Sequence, residues 1–307
     1  MGSAPRILIV LRAGRDSIHR SWIWTLHGLV DVAISTYDDS DYSADGVARF
    51  FHQFSGGKFS GVKDFFDTHP SVIEEYDYFW LFEDDLTLPL ASLRAVLKLL
   101  ARFPFALSSP SLSHESVIYW KINMTNSRFV FRGTDFVEIM MPIMSRDFLR
   151  AALPAFNDNY SGYGQESLWQ KLLKERRSFA VIFDSAPMTH TRPYQFGSLG
   201  RNKPSSLPDL ALDLQNFLTK HGLLFPYSTN YFGVTSGPSP QILTQDAFIR
   251  EALCGYEALR PLRPDIYDLA IKNITDLGLA RPTITYDELQ KMPDFCMIEN
   301  YVRTLAW

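Results

Sequence analysis

RILIVLRAGRDSIHRSWIWTLHGLVDVAISTY, residues 6–37, decides how this chain is read. Arg6–Arg12 is a short, β-branched apolar run, the signature of a buried strand. Ala13-Gly14-Arg15 ends it. Val30–Tyr37 repeats the pattern and stops at Asp38-Asp39-Ser40. Between the two, Ser17–Leu29 has apolar spacing suited to a helix. Strand, helix and strand in this order predict a βαβ unit and a mainly parallel sheet.

Outward from this unit, Ser55-Gly56-Gly57-Lys58 is a polar loop, and Gly61–Ile73 is expected to be helical. Tyr76–Phe82 (YDYFWLF) is an aromatic-rich third strand that runs directly into Glu83-Asp84-Asp85. After Pro89, the positions Leu90, Leu93, Val96, Leu97 and Leu100 share one helical face. Phe105–Ser109, Val117–Ile122, Phe129–Phe131 and Phe136–Met144 have strand character, with Pro142 suggesting an edge or a bulge in the last. Arg146–Phe156 and Glu166–Arg176 are expected helices, joined by the loop Asn157–Gly164. Phe179–Asp184 is the last clear strand, with His190 just beyond it. Thr191–Pro208 is a Gly/Pro/Ser loop bearing Arg192, Arg201 and Lys203, and Asp209–Leu224 is helical. From residue 226 a Gly/Pro stretch precedes the helical segments Gln245–Leu259 and Asp265–Leu277. The expected fold is α/β, Rossmann-like, with a mixed, mainly parallel central sheet flanked by helices. Residues 1–225 would carry this sheet, and residues 226–307 would form a helical C-terminal extension offering a surface for self-association.

Composition narrows the function classes. At 307 residues the chain suits one large or two modest domains. A 46% hydrophobic content excludes a disordered chain. The net charge of −4 argues against a nucleic-acid partner, which needs a basic face. Two cysteines, Cys254 and Cys296, argue against a disulfide framework. The apolar run Ile7–Leu11 is too short for a signal peptide or a membrane span. A cytoplasmic protein is expected.

Three consecutive carboxylates at the carboxyl end of a buried strand repel one another. Ligands of open α/β sheets bind at that edge. A divalent cation, Mn²⁺ or Mg²⁺, would offset Glu83-Asp84-Asp85, whereas helix capping requires only one acid. In Gly162-Tyr163-Gly164-Gln165-Glu166 two glycines bracket an aromatic residue and a carboxylate opens a helix. Glu166 there is either a general base or a cap on the helix dipole. His190 is either a structural imidazole or a ligand suited to Mn²⁺. Arg12, Lys58, Arg192, Arg201 and Lys203 sit near strand ends or in loops and could clamp phosphates. The patterns GxxxxGK[ST], HExxH and GxSxG are absent. Glu83-x-Asp85-x-Thr87 imitates the DxDxT of aspartate-nucleophile phosphatases but has Glu at the nucleophile position.

Six motifs carry a resemblance when taken in order: Val10–Ile23, Phe54–Gly61, Trp80–Leu88, Phe136–Leu149, Gly162–Trp169 and Val181–Pro193. Together they resemble the family called domain of unknown function 707, itself similar to GT-A-fold glycosyltransferases, over roughly residues 6–195. The resemblance implies a GT-A-like fold, with residues 1–225 as a nucleotide-sugar-binding catalytic domain. It makes Glu83-Asp84-Asp85 a DxD-like element, with Asp85 as direct metal ligand. Asp84 and Glu83 would then contact metal-bound water, ribose or sugar hydroxyls, with Asp84 as a further ligand candidate. Gly162–Glu166 is similar to the Gly-aromatic-Gly-x-acid loop of inverting transferases. Tyr163 and Glu166 stand where many relatives have Trp and Asp, and His190 matches a late metal-binding histidine.

The implied reaction moves a sugar from a nucleoside-diphosphate donor to the hydroxyl of a glycan or small-molecule acceptor. Inversion needs a single base, Glu166, and Glu138 is the spare carboxylate for retention. Arg12 and Asp38 would hold the nucleoside, and Lys58 would reach the base or a phosphate. Arg192, Arg201 and Lys203 would close over the diphosphate. Trp120, Tyr160 and Tyr163 could stack on sugar faces. The competing readings are a metal-dependent phosphoryl-transfer or hydrolytic enzyme and a non-catalytic sugar-nucleotide-binding module.

Overall fold

The computed structural model describes residues 4–193, 209–226, 228–257, 259–279 and 285–305. Arg201 and Lys203 lie outside the described residues. The chain runs β1 (Ile7–Ala13), β2 (Asp31–Thr36), β3 (Phe50–Gln53), α1 (Lys58–Thr68), α2 (Val72–Glu75), β4 (Tyr78–Glu83), β5 (Leu86–Thr87) and α3 (Leu90–Arg102). It continues through β6 (Leu107–Leu112), β7 (Phe129–Thr134), β8 (Ile143–Ser145), α4 (Arg146–Ala152), α5 (Gln165–Glu175), β9 (Ala180–His190) and α6 (Leu210–His221). Then follow β10 (Asn230–Thr235), β11 (Ile242–Thr244), α7 (Gln245–Glu257), α8 (Pro264–Leu279), α9 (Tyr286–Leu289) and α10 (Pro293–Leu305).

Among the described residues the sheet order is β11-β10-β7-β9-β6-β8-β4-β1-β2-β3, with β5 paired to the end of β9. Strands β3, β2, β1, β4, β6, β9 and β10 run one way, and β8, β7 and β11 run the other. This is the mixed, mainly parallel α/β sheet expected from the sequence.

β1 lies between β2 and β4, in parallel register with both. All of its side chains are buried. Successive side chains of a strand point to opposite faces. Ile7, Ile9, Leu11 and Ala13 therefore join Leu93, Val96 and Leu100 of α3 in one core. Leu8 and Val10 join Val62 and Phe65 of α1 and Phe148 of α4 in the other. Helices on both faces explain why the strand reads as a continuous apolar run.

Four local expectations are corrected. Ser17–Leu29 forms two short 3-10 turns, His19–Ser21 and Ile23–Leu26, and not an α-helix. The hydroxyls of Ser21 and Thr25 donate to the carbonyls of Ile18 and Trp22, three residues back. Trp22 is pulled inward, where Nε1 donates to Leu86 O at 2.8 Å and the ring lies 5.2 Å from that of Phe82. Side-chain bonds to the local backbone compete with α-helical ones.

Of Phe136–Met144, only the end is strand. Pro142 has no N–H to give a ladder, and β8 starts after it, antiparallel between β4 and β6. Val117–Ile122 is likewise not a strand: only Lys121–Asn123 is regular, as a 3-10 turn, and Phe129–Phe131 belongs to a strand that pairs with β9 and β10.

The segment after residue 226, expected to be helical, first adds two strands to the sheet edge. Glycines make this close pairing possible. A Cβ on Gly133 would lie 2.1 Å from the Phe232 ring, and one on Gly233 would lie 2.5 Å from the Phe129 ring. The helices that follow cover this end: Phe248 of α7 stacks on Phe129 at 5.1 Å, and Phe295 of α10 meets Phe232 at 5.0 Å.

Candidate active site

Strand order reverses at β1 and β4, so the connections leaving their carboxyl ends diverge and open a crevice. Arg12 and Glu83 sit opposite one another in register at that edge. Asp84 and Asp85 follow, and the β5–β9 pairing sets His190 against Leu86. His190 is thus the last residue of an extended β9, not a residue beyond the strand.

Asp85 and His190 face each other. Nε2 of His190 lies 3.3 Å from Oδ2 of Asp85. Nδ1 of His190 is 2.9 Å from the Val117 carbonyl, which can only accept, so Nδ1 carries the proton. Burial opposes charge on this imidazole, but the hydrogen bond and charge of Asp85 outweigh it and raise its pKa. Oδ1 of Asp85 is buried without a hydrogen-bond partner. A carboxylate oxygen beside an imidazole nitrogen, with the other imidazole N–H held by a backbone carbonyl, fits a divalent cation. Among the described residues no third His, Cys, Asp or Glu completes a ligand set. A cation seated here would draw its remaining ligands from substrate oxygens and water, as Mg²⁺ and similar ions commonly do.

Asp84 is engaged differently. Oδ2 accepts from Gly14 N at 2.9 Å and from the Tyr37 hydroxyl at 2.8 Å. Oδ1 accepts from Arg192 at 2.8 Å, and the same guanidinium lies 3.7 Å from Asp85 Oδ2. Asp84 therefore ties the end of β4 to the ends of β1 and β2, and it places Arg192 beside Asp85.

Of the sequence-derived basic set, Arg12 and Lys58, like Arg192, are engaged by the chain's own groups. Arg12 is 3% exposed and donates to Ser35 Oγ at 2.7 Å and to the carbonyls of Ser35, Thr36, Phe54 and Gly56. Burial lowers its pKa to about 10. Gly61 of α1 leaves it room, since a Cβ there would lie 2.4 Å from the guanidinium carbon. Asp38 accepts from the amides of Arg15 and Ser40. Lys58, the first residue of α1, donates to the carbonyls of Ile139 and Met140 at 2.5 and 2.6 Å and to Glu83 Oε1 at 3.3 Å. These three contacts engage its ammonium within the chain, where the expectation was a group reaching the base or a phosphate.

Four acids and two basic groups converge behind the edge. Lys58 feels the charges of Glu83, Asp85 and Glu138, although burial lowers its own pKa. Glu138 accepts from Asn123 Nδ2. Burial, then the charges of Glu166 and Glu83, push its pKa up to about 8. Glu166 is 4% exposed, and burial raises it to about 7 against the pull of backbone N–H groups, including that of Gly164 at 3.1 Å. Glu166 thus accepts from the amide at its own helix start, as a cap would, and it also belongs to the acidic cluster. Its loop is fixed by Gly162 and Gly164, at φ +77° and +94°. Trp120, read as a stacking surface, lies on Phe136 at 4.5 Å and on Phe225 at 6.2 Å.

Asn123 and the Ser116–Val117 backbone carry no titratable signal, and only the structure brings them to the site. A separate cavity of about 320 Å³ lies behind that strap, bounded by Val117, Lys121, Met124, Arg263 and Ile266 among others.

No family model matches the sequence, and no curated protein matches it. Among solved structures the chain is similar to the crystal structure of GalNAc-T7 with UDP, GalNAc and Mn²⁺, at 5% identity and TM-score 0.45, over 73% of this chain. The match spans 55% of that chain, about half its length. Among the described residues no helix is long and apolar enough to cross a membrane.

Proposed function

We propose that the chain is a metal-dependent glycosyltransferase that takes its sugar from a nucleoside diphosphate. The observation that carries this reading is the Asp85–His190 pair at the crevice, 3.3 Å apart, with a partnerless buried oxygen on Asp85. Asp85 and His190 would hold Mn²⁺ or Mg²⁺, and Arg192 would stand beside it. The cation, when bound, neutralises charge that develops on a diphosphate leaving group.

The chain's own groups then divide the work. Arg192, held by Asp84, would offer its guanidinium to the phosphates. Glu166, with its pKa raised to about 7 by burial, would suit a general base working near neutral pH. It would take the proton of the attacking acceptor hydroxyl. Glu138, raised to about 8 by burial and by the charges of Glu166 and Glu83, would be the spare carboxylate. Inversion, which needs a single base, is the outcome proposed.

The test is a panel of nucleotide sugars incubated with Mn²⁺ and a glycan acceptor array. Sugar transfer without release of free phosphate supports the reading. Phosphate release without transfer, or binding of nucleotide sugars with no turnover, overturns it.

A further inference from the structure

Resting on the role proposed for Glu166, we infer that helix α6 is the clamp that sets this carboxylate, and that Asp213 is a positioning residue of the site. Asp213, Phe217 and His221 recur every four residues, so they form one stripe along α6. Each grips the loop before Glu166. The Asp213 carboxylate accepts from Tyr160 N at 3.3 Å and from Ser161 N at 2.8 Å. Phe217 is fully buried against Gly164, where a Cβ would lie 2.8 Å from its ring. His221 Nε2 lies 2.8 Å from Asp158, whose other oxygen accepts from Lys220 at 2.6 Å.

The far side of the loop is pinned as tightly. The Tyr160 carbonyl lies against Gly57, the residue before α1, where a Cβ would come within 2.1 Å. Asn159 donates to Tyr163 O at 2.6 Å. The loop is therefore wedged between α6 and the start of α1. Its last amide, Gly164 N, is a donor to Glu166 Oε2. A helix that only covered the core would need Phe217 alone. The two aspartate contacts are additional and address the loop backbone and its base.

The test is the titration of Glu166 by ¹³C NMR of glutamate-labelled full-length protein, with the resonance assigned through Glu166→Gln. Asp213→Ala should loosen the loop, admit water and lower the Glu166 midpoint by at least one pH unit. Asp213→Asn keeps an acceptor oxygen and should restore most of the wild-type midpoint. In a transfer assay, Asp213→Ala should reduce kcat about tenfold with donor KM unchanged. An unmoved midpoint in a folded Asp213→Ala protein overturns the inference. If Asp213→Ala does not fold, Asp158→Ala removes the acceptor at the loop's base and is judged by the same midpoint. The titration needs no substrate, so it succeeds or fails independently of the transferase reading.

Discussion

Arg132 and Asp184 form a fully buried ion pair between β7 and β9, with Nε 2.7 Å and Nη2 3.0 Å from the two carboxylate oxygens. Arg132 also donates to Met124 O, and Asp184 accepts from Asn126 N, so the pair fixes the segment that leads into β7. Removing one partner of such a pair strands a charge, at about 3–5 kcal/mol, whereas replacing both with apolar residues is often close to neutral. Arg132→Met should therefore destabilise the fold far more than Arg132→Met with Asp184→Leu, as read by urea denaturation. Equal losses in the two proteins would contradict this.

Lys58 offers a second stability test. Its ammonium satisfies two carbonyls and Glu83 at the start of α1. Lys58→Met leaves the Met140 carbonyl and the partly buried Ile139 carbonyl without this donor, at about 1–3 kcal/mol for a buried unpaired acceptor. The urea midpoint should fall clearly. An unchanged midpoint would mean that this amine is not structural.

Gly164 sits at φ +94°, with the Phe217 ring in the space a side chain would take. Gly164→Ala should cost about 1–3 kcal/mol from the strained backbone, before any repacking of Phe217. A melting temperature close to that of the wild type would show that the loop tolerates a side chain.

The acidic cluster predicts a pH dependence with a definite sign. Glu138 and Glu166 have folded pKa values raised to about 8 and about 7, above the ordinary glutamate value of 4.5. The folded state therefore binds their protons more tightly than the unfolded state does. This contribution to stability is fully present below pH 4.5 and is lost as pH rises through 7 and 8. Glu138→Gln should flatten the decline between pH 5 and 8 in denaturation curves. A decline of the same steepness in that variant would contradict the assignment.

The part of the fold that was legible in the sequence is the part buried on both faces. β1, β2 and β4 read as apolar runs because helices cover them on either side. β10 did not read as a strand, because Gly233 and the adjoining Gly/Pro stretch mask its alternation. Only the Phe129 ring across the pairing explains that glycine. Ser17–Leu29 has helical spacing, but hydroxyl bonds to the backbone tighten it into 3-10 turns. At the site, Asp85 and His190 were legible as residue types at strand ends. The engagement of Arg12 and Lys58 was not, because their partners are mostly backbone carbonyls, which any sequence supplies.

The central claim is that Asp85 and His190 seat a divalent cation together with a nucleoside diphosphate. The direct measurement is Mn²⁺ binding followed by electron paramagnetic resonance, with and without UDP, in the wild-type protein and in Asp85→Asn and His190→Ala. The account predicts Mn²⁺ binding that UDP strengthens in the wild type, weakened at least tenfold in both variants. Mn²⁺ affinity that neither substitution alters would contradict it.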